Sequence, residues 1–452
     1  MTPATARMPR VAFKTMGCRL NRVETDSVAL ALERRGCEIV PEQEADAIIV
    51  NTCAVTGEAE AKCRKSVRHA LSLPQRPYVF ATGCMAALFA DELAELGDHI
   101  RVVTDKAALA DTLYRTVTSG YEDTPDEVGA TVTTGSKATD TLTGEAVATP
   151  TVDATPTPTG RTRPGIKVQD GCDNRCAFCI VWKARGTARS VSPAEAVRLV
   201  REAQGRGAHE VVLSGINLGS YRYECDGAAM RLPELLEHIL ECTDVERVRL
   251  SSLEPPDVTR RLCEVIADSG GRIAPFLHVC LQSGCDETLG RMGRVYDSGL
   301  YRRVVEQARE LIPDLALGCD LIVGFPGETD EEFERSYEFC REMHFAKMHV
   351  FRYSRRPGTP AATMPDQVSA SVSADRSRRM RALADAMRRQ NASAAIGKQD
   401  LVLVQSPGRA VSGGLYDVLV DDRIPVDYLV RVTPHAILES GFLDARPVQA
   451  QA

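Results

Sequence analysis

The chain of 452 residues contains no apolar run of the roughly 20 residues that a bilayer-spanning helix needs. No apolar stretch follows the opening "MTPATARMPRVAFKTMGC" either, so a secretory leader is not expected and a cytoplasmic location is. An even cysteine count is also missing. Fifteen cysteines without a sign of secretion argue against a disulfide framework and for metal ligands or redox chemistry. Finally, there is no strong charge of one sign. The net charge is −7, but residues 119–160 hold seven acidic side chains and one lysine. The remainder is nearly neutral, with room for local basic patches and a nucleic-acid partner.

That acidic segment holds twelve threonines, four prolines and almost no large apolar residue. It cannot bury enough surface to offset its ordering entropy, so residues 119–160 are expected to form a disordered linker. Before it, residues 8–118 alternate short apolar runs ("RVAFKTMGC", "ADAIIVNTC", "YVFATGC") with helical patterns. This is the signature of an open, mainly parallel α/β sheet. Residues 161–395 continue the alternation through six strand-like runs, "GIKVQ", "EVVLSG", "RVRLSS", "FLHVCL", "CDLIVGF" and "KMHVFR". Six β/α units predict a partial (β/α)6 barrel of the TIM type, with active groups at the C-terminal ends of its strands. Residues 396–447 turn all-β and predict a small barrel-like module. The fold class is therefore α/β with a β-module at the end.

Three cysteines share a position rather than a spacing. Cys18, Cys53 and Cys84 each come directly after an expected strand. Strand C-termini of a parallel sheet lie along one edge, so these thiols can converge in one crevice. Gly17 and Gly83 permit close backbone approach beside two of them. Three buried structural cysteines are the plain alternative.

Cys172, Cys176 and Cys179 instead share one loop, "GCDNRCAFCI", after the first strand of the second domain. Structural zinc takes four ligands, commonly in two pairs, and no second Cys or His pair follows. Three thiolates suit a four-iron cluster that leaves one iron open to an external ligand, unless a remote cysteine completes the set. A surface zinc loop or free thiols is the alternative. Cys37, Cys63, Cys225, Cys242, Cys263, Cys280, Cys285, Cys319 and Cys340 read as packing residues.

Both trios lie in blocks that resemble a known family. "KTMGCRLNRVETD", "ADAIIVNTCAVT", "ATGCMA" and "GCDNRCAFCI" are similar to the signature blocks of the radical S-adenosylmethionine (SAM) methylthiotransferases. The resemblance covers nearly all of the chain outside the Thr-rich segment, and the closing β-module takes the place of that family's RNA-binding TRAM domain. "VVLSGINLGSY", "RLSSLEP", "HVCLQSGCDETLGRMGRVY", "DLIVGFPGE" and "HVFRYSRRPGTPAA" most resemble the branch acting on tRNA threonylcarbamoyladenosine. The isopentenyladenosine branch usually has Gln-Asn where Ile216 and Asn217 stand. The branch that modifies a ribosomal-protein aspartate usually has an acidic residue at Arg356. After the last loop cysteine this chain reads Ile180-Val181-Trp182-Lys183 in place of the usual Ile-Ile-Pro-Tyr, a departure in the local loop.

The resemblance implies two [4Fe-4S] clusters, one on Cys172, Cys176 and Cys179 and one on Cys18, Cys53 and Cys84. The first would bind SAM and yield the radical that abstracts the hydrogen at C2 of an adenine at tRNA position 37, beside the anticodon. The second would carry the sulfur that receives a methyl group and is transferred. Phe178, Ser214, Gly215, Glu254 and Gln282 are the expected SAM contacts. Partners would be SAM, the tRNA anticodon stem-loop and a reductant such as flavodoxin or ferredoxin, and no membrane. Arg376, Arg378, Arg379, Arg381, Arg388 and Arg389 lie on one expected helix between barrel and β-module and are RNA-contact candidates, with Arg185 and Arg189 near the loop. The β-module itself has a net charge of −3 over residues 400–447, unexpected for an RNA-binding element. A ribosomal-protein substrate and, from a different class, a non-catalytic iron–sulfur electron carrier are the competing readings.

Overall fold

A computed structural model describes residues 7–119, 156–225 and 227–447. The expected linker falls mostly outside the described residues. Its last residues, 156–160, are packed rather than loose. Pro156 and Thr157 are buried, and Thr159 and Arg161 bond to Asp26. A short polar segment becomes ordered where a carboxylate on a neighbouring helix accepts its donors.

The N-terminal domain is a five-stranded parallel sheet of β1 (Arg10–Thr15), β2 (Glu38–Ile39), β3 (Ala47–Thr52), β4 (Tyr78–Gly83) and β5 (Ile100–Val102). The strand order is β2-β1-β3-β4-β5. Strand β3 is buried along its whole length because helices cover both faces. One face takes α1 (Arg19–Glu33) and α5 (Leu109–Ser119), through Val28, Leu32, Leu109 and Leu113. The other takes α2 (Gly57–Leu71), α3 (Cys84–Leu88) and α4 (Ala90–Ala94), through Cys63, Val67, Met85 and Leu93. The short strands β2 and β5 were not among the expected runs, being only two and three residues long.

The second domain contains all six expected strands, in one parallel succession. β6 (Gly165–Lys167), β9 (Glu210–Ser214) and β12 (Arg247–Leu250) form one sheet in the order β12-β9-β6. β13 (Ser252–Leu253), β14 (Phe276–Val279), β15 (Ala316–Val323) and β16 (Lys347–Arg352) form the next. Ser251 alone separates β12 from β13, so the third barrel strand is a single run broken at one residue. Two short strands, β7 (Gln169–Asp170) and β8 (Arg189–Ser190), pair across the loop that carries the second cysteine trio, and α6 (Val181–Arg185) closes that loop. An antiparallel hairpin, β10 (Arg222–Cys225) and β11 (Ala228–Arg231), is an insertion that the sequence reading missed.

Helices α7 (Pro193–Gly205), α8 (Leu232–Cys242), α9 (Arg260–Asp268), α11 (Ser298–Leu311) and α12 (Asp330–Met343) clothe the outer face, and α10 (Asp286–Arg291) is a short turn after β14. Ile166, Val211, Val248, Leu277, Leu317 and Leu321 pack under them in one core.

Helix α13 (Ala370–Ser393) packs on β16 and leads into the C-terminal module. There β17 (Asp400–Ser406), β18 (Arg409–Val411), β19 (Asp417–Leu419), β20 (Leu429–Val432), β21 (Ala436–Ile437) and β22 (Leu443–Asp444) form one curled sheet over Val402, Val404, Val418 and Leu443. This fits the small barrel expected. The module seals the N-terminal end of the large barrel. Arg249 donates to the carbonyls of Gly413 (2.7 Å) and Ser412 (3.0 Å), and both Arg249 and Arg247 pair with the buried Glu210. No helix of the described residues is long and apolar enough to cross a membrane.

Candidate active site

The sheet order places the first thiol trio. In a 2-1-3-4-5 sheet the chain reverses direction between β1 and β3, leaving a crevice outside their C-terminal ends. Cys18 follows β1 and Cys53 follows β3 at that crevice, and Cys84 starts α3 beside them. Asn21 holds the rim, donating to the carbonyls of Met16 and Thr52, each at 2.9 Å. Gly17, at φ +87°, leaves no room for a Cβ, which would overlap the Cys53 side chain. Burial pushes the Cys53 thiol up to about 12; the Val55 N–H opposes this, and the Cys18 and Cys84 thiols add to it. Such thiols ionise only against a strong positive charge, which iron supplies.

The second trio lies on a loop pinned from three sides. Cys172 N donates to Gly186 O (3.1 Å), Ala177 N to Met292 O (2.9 Å), and Ala361 N to Ala177 O (2.9 Å). Burial pushes the Cys179 thiol up to about 11, with Cys176 and Cys172 adding to it against the Val181 N–H. Among the described residues neither trio brings its three sulfurs within 4.8 Å of one another. One tetrahedral ion with bonds of about 2.3 Å would hold them about 3.8 Å apart. The observed spacing fits a polynuclear cluster at each trio, with the Cys63 thiol close by at the first, accepting from Cys53 N at 3.2 Å.

Two arginines complete the arrangement, and each donates to one thiol. Arg294 Nη1 lies 2.8 Å from Cys176 Sγ, while the same guanidinium pairs with Glu254 and rests 4.9 Å from the Tyr296 ring centre. Arg185 Nε lies 3.3 Å from Cys84 Sγ. Its other donors reach Glu24 (2.8 and 3.0 Å), Asp170 (3.0 Å) and Asn21 (2.8 Å). Arg185 belongs to the helix that ends the second thiol loop, yet it bonds to a thiol of the first domain. It therefore links the helix that follows the second thiol loop to the first trio. Burial raises the Glu24 carboxyl, but the hydrogen bond and charge of Arg185 outweigh it and hold that group at about 2. Hydrogen bonds to cluster sulfurs are among the determinants of a cluster's potential.

The other expected residues divide. Glu254, Gly215 and Gln282 stand at the C-terminal ends of neighbouring barrel strands, where chemistry was expected. Gly215 N donates to Ser251 Oγ (3.3 Å), and Gln282 adopts φ +64° with its N–H on Asp320 O (2.9 Å). Ser214 is buried and donates to Val212 O (3.2 Å), within its own strand. Phe178 packs edge-on against Phe325, at 6.4 Å between ring centres, and so serves the small core beneath the loop.

The basic helix differs from its expected role. Arg376 is buried and bonds to Glu328 (2.7 Å) and Asp330 (2.7 Å), which makes it a support of the "GFPGE" turn. Arg379 pairs with Glu334 (2.6 Å), Arg388 with Asp417, and Arg378 with Asp375. Arg381 and Arg389 donate to the carbonyls of Val350 and Glu439, each at 3.2 Å. A charge run seen along one helix says nothing of the carboxylates that neighbouring elements bring to it. Arg185 is likewise buried instead of facing RNA, and Arg189 pairs with Asp170 (2.8 Å). Arg294 was missed altogether; nothing in its local sequence signals that its loop folds back onto Cys176.

Arg356 is buried and pairs with Glu60 of α2, while Gly57 N donates to Ser354 Oγ (3.0 Å). An acidic residue at 356 would face Glu60 and repel it, so this arginine locks the N-terminal domain to the barrel edge.

Residues 166–340 match the Radical SAM superfamily, and residues 10–105 match the Uncharacterized protein family UPF0004. The chain is 35% identical over 389 residues to the threonylcarbamoyladenosine tRNA methylthiotransferase MtaB of Bacillus subtilis (strain 168), covering 85% of this chain and 82% of that protein. It is 34% identical to the MtaB protein of Thermotoga maritima, covering 82% and 80%. It is 32% identical to the tRNA-2-methylthio-N(6)-dimethylallyladenosine synthase of Jannaschia sp. (strain CCS1), covering 90% and 87%. The fold resembles the radical SAM methyltransferase TsrM of Kitasatospora setae, solved with cobalamin and a [4Fe-4S] cluster, with a TM-score of 0.54 at 16% identity, covering 79% of this chain and 74% of that one.

Proposed function

The chain belongs to the radical SAM tRNA methylthiotransferases, enzymes that use SAM and [4Fe-4S] clusters, and from that premise we propose its substrate and the residues that act on it. The substrate is N6-threonylcarbamoyladenosine at position 37 of tRNA, and the reaction adds a methylthio group at C2 of its adenine. The support is the match to the MtaB proteins over most of the chain, together with Ile216 and Arg356, which separate this sequence from the two neighbouring branches.

Cys172, Cys176 and Cys179 hold the cluster that binds SAM, and Cys18, Cys53 and Cys84 hold the one that carries sulfur. Together with SAM, these groups supply the radical hydrogen abstraction and the sulfur transfer. The observation that carries this assignment is Arg185, which ends the helix leading out of the second thiol loop and donates to Cys84 of the first trio. The residues of the chain position and insulate. Arg294 orients Cys176 and holds Glu254 at the barrel mouth, beside Gly215 and Gln282, as the wall against which SAM is placed. The buried thiols Cys53, Cys84 and Cys176 would sit away from water, which protects reactive chemistry there.

RNA approaches along the seam between the domains. A groove of about 680 Å³ runs there beside Met16 and Gly17, lined by Lys62, Arg352, Arg355 and Arg381, with the partly exposed ring of Phe351. Its cations suit phosphates and its ring suits a base. The acidic C-terminal module contributes domain closure through Arg247 and Arg249 rather than charge.

Mass spectrometry of tRNA nucleosides from a strain lacking the gene tests the reading. Loss of 2-methylthio-threonylcarbamoyladenosine is expected. An unchanged level of that nucleoside, or loss of the methylthio-isopentenyl nucleoside instead, rejects it.

A further inference from the structure

The half-barrel encloses a lumen whose charge is not balanced. Strand pairing puts Gly165, Val212 and Arg249 in one row, and His278, Gly318 and Lys347 in another. Their neighbours along the strands, such as Ile166, Val211, Leu277 and Leu317, fill the helix-covered core. Side chains alternate along a strand, so both rows face the lumen. The gap between the edge strands β6 and β16 is spanned by the N-terminal domain, where α1 packs on β6. Arg19 and Arg22, in the first turn of α1 directly after Cys18, line a cavity of about 390 Å³ there with Arg161, Arg163, Gly165 and Val212.

The lumen carboxylates already have partners. Glu210 is held by Arg247 and Arg249, and Asp320 lies 3.2 Å from His278 Nε2. Among the described residues Arg19, Arg22 and Lys347 have no direct ion pair; Glu210, Asp26 and Asp417 act on them only from farther off. Burial, then the charges of Arg163 and Arg19 against that of Asp417, hold the Lys347 ammonium below its ordinary pKa, as expected of a cation among cations. Burial also lowers His349, against the charge of Asp320. Arg19 and Arg22 are exposed and Lys347 is half-buried, so these cations face open space beside a thiol trio and can turn their donors to an incoming anion.

We propose that Arg19 and Lys347, assisted by Arg22, bind the carboxylate of the threonylcarbamoyl group and so select it over an apolar adenine substituent. The inference rests on the substrate reading above. The threonylcarbamoyl group ends in a carboxylate, whereas the isopentenyl group is a neutral hydrocarbon that would leave these cations unpaired. A carboxylate accepts from two donors at once, as a guanidinium and an ammonium on opposite walls require. A backbone phosphate offers similar chemistry, but it belongs to a strand that must remain outside so small a chamber.

The test uses the full-length protein with both clusters loaded. Its affinity is measured by fluorescence anisotropy for anticodon stem-loops carrying adenosine, isopentenyladenosine or threonylcarbamoyladenosine. The wild type should prefer the threonylcarbamoyl stem-loop by about tenfold or more. Arg19→Gln and Lys347→Met should each remove most of that preference, leaving the adenosine stem-loop and SAM bound within about twofold of wild type. Arg19→Lys, which keeps the charge, should recover part of it. Undiminished preference in both variants overturns the proposal. Equal weakening for all three stem-loops also overturns it, because that marks a phosphate contact, as does a selective loss of SAM affinity. A wild type that methylthiolates threonylcarbamoyladenosine while the variants keep their preference sinks only the carboxylate site. A wild type that ignores that nucleoside sinks the substrate reading itself.

Discussion

The two ends of the barrel use the same ingredients for different ends. At the closed end, Arg247 and Arg249 flank Glu210, and their remaining donors reach carbonyls of the C-terminal module. Their donors are spent on Glu210 and on backbone oxygens of the module, and the result is a seal. At the open end, Arg185 and Arg294 are also held by carboxylates, but each gives one N–H to a thiol. Carboxylate partners fix a buried guanidinium; the one donor left over decides whether it closes a domain or tunes a ligand. A buried Arg–Glu pair alone therefore does not mark a functional site. The sulfur at its edge does.

The sharpest break between the ends comes from the thiols. Cys84→Ala should abolish methylthiolation and about halve the iron bound per chain, measured on reconstituted protein. Wild-type product formation would sink the two-cluster reading. Next come the arginines. Arg294→Met should lower activity roughly 10–100-fold and shift the reduction potential of the SAM-binding cluster, read by redox-titrated EPR. Arg249→Met, at the other end, should destabilise the fold by about 3 kcal/mol because the buried Glu210 keeps only Arg247 and the Gly413 and Ser412 carbonyls lose their donor. It should leave the EPR signals of both clusters unchanged. If the two variants exchange these effects, the distinction between seal and site is wrong.

Acid should open the closed end. Burial raises the Glu210 carboxyl, but Arg249 and Arg247 outweigh it and hold it at about 2, below its ordinary 4.5. A depressed carboxyl stabilises above its unfolded pKa and loses that contribution as the pH falls through the folded one. Docking of the C-terminal module should thus be intact above pH 4.5 and fail progressively between 4.5 and about 2. Small-angle scattering of the cluster-free protein follows it, and Arg249→Met should flatten the dependence. The smallest effect is expected at Arg378, on the exposed helix surface and paired only with Asp375. Arg378→Ser should change stability by no more than about 0.5 kcal/mol.

Much of the architecture was legible because strand and helix periods are local. Each of the six barrel runs became a strand, and the two thiol trios stand where strand ends and a loop were expected to put them. The hairpin of β10 and β11 escaped notice because its four-residue strands are exposed and carry no apolar alternation. Arg376 was misread for a different reason. Its partners Glu328 and Asp330 lie 48 and 46 residues away and are invisible to a scan along one helix. Phe178, expected as a cofactor contact, also packs edge-on against Phe325 over a small apolar core, a partner 147 residues away that local sequence does not show.

The sequence by itself determined which atoms are available for chemistry. Covalent spacing and the parallel-sheet rule put three thiols in one loop and three at strand ends, and the family resemblance implies a cluster at each. Only the tertiary structure decided which arginines reach sulfur and which serve packing, and that Arg19, Arg22 and Lys347 are left without a direct ion pair. Those outcomes depend on which distant carboxylate reaches each guanidinium first, because a buried charge takes whatever partner the fold brings within hydrogen-bonding distance.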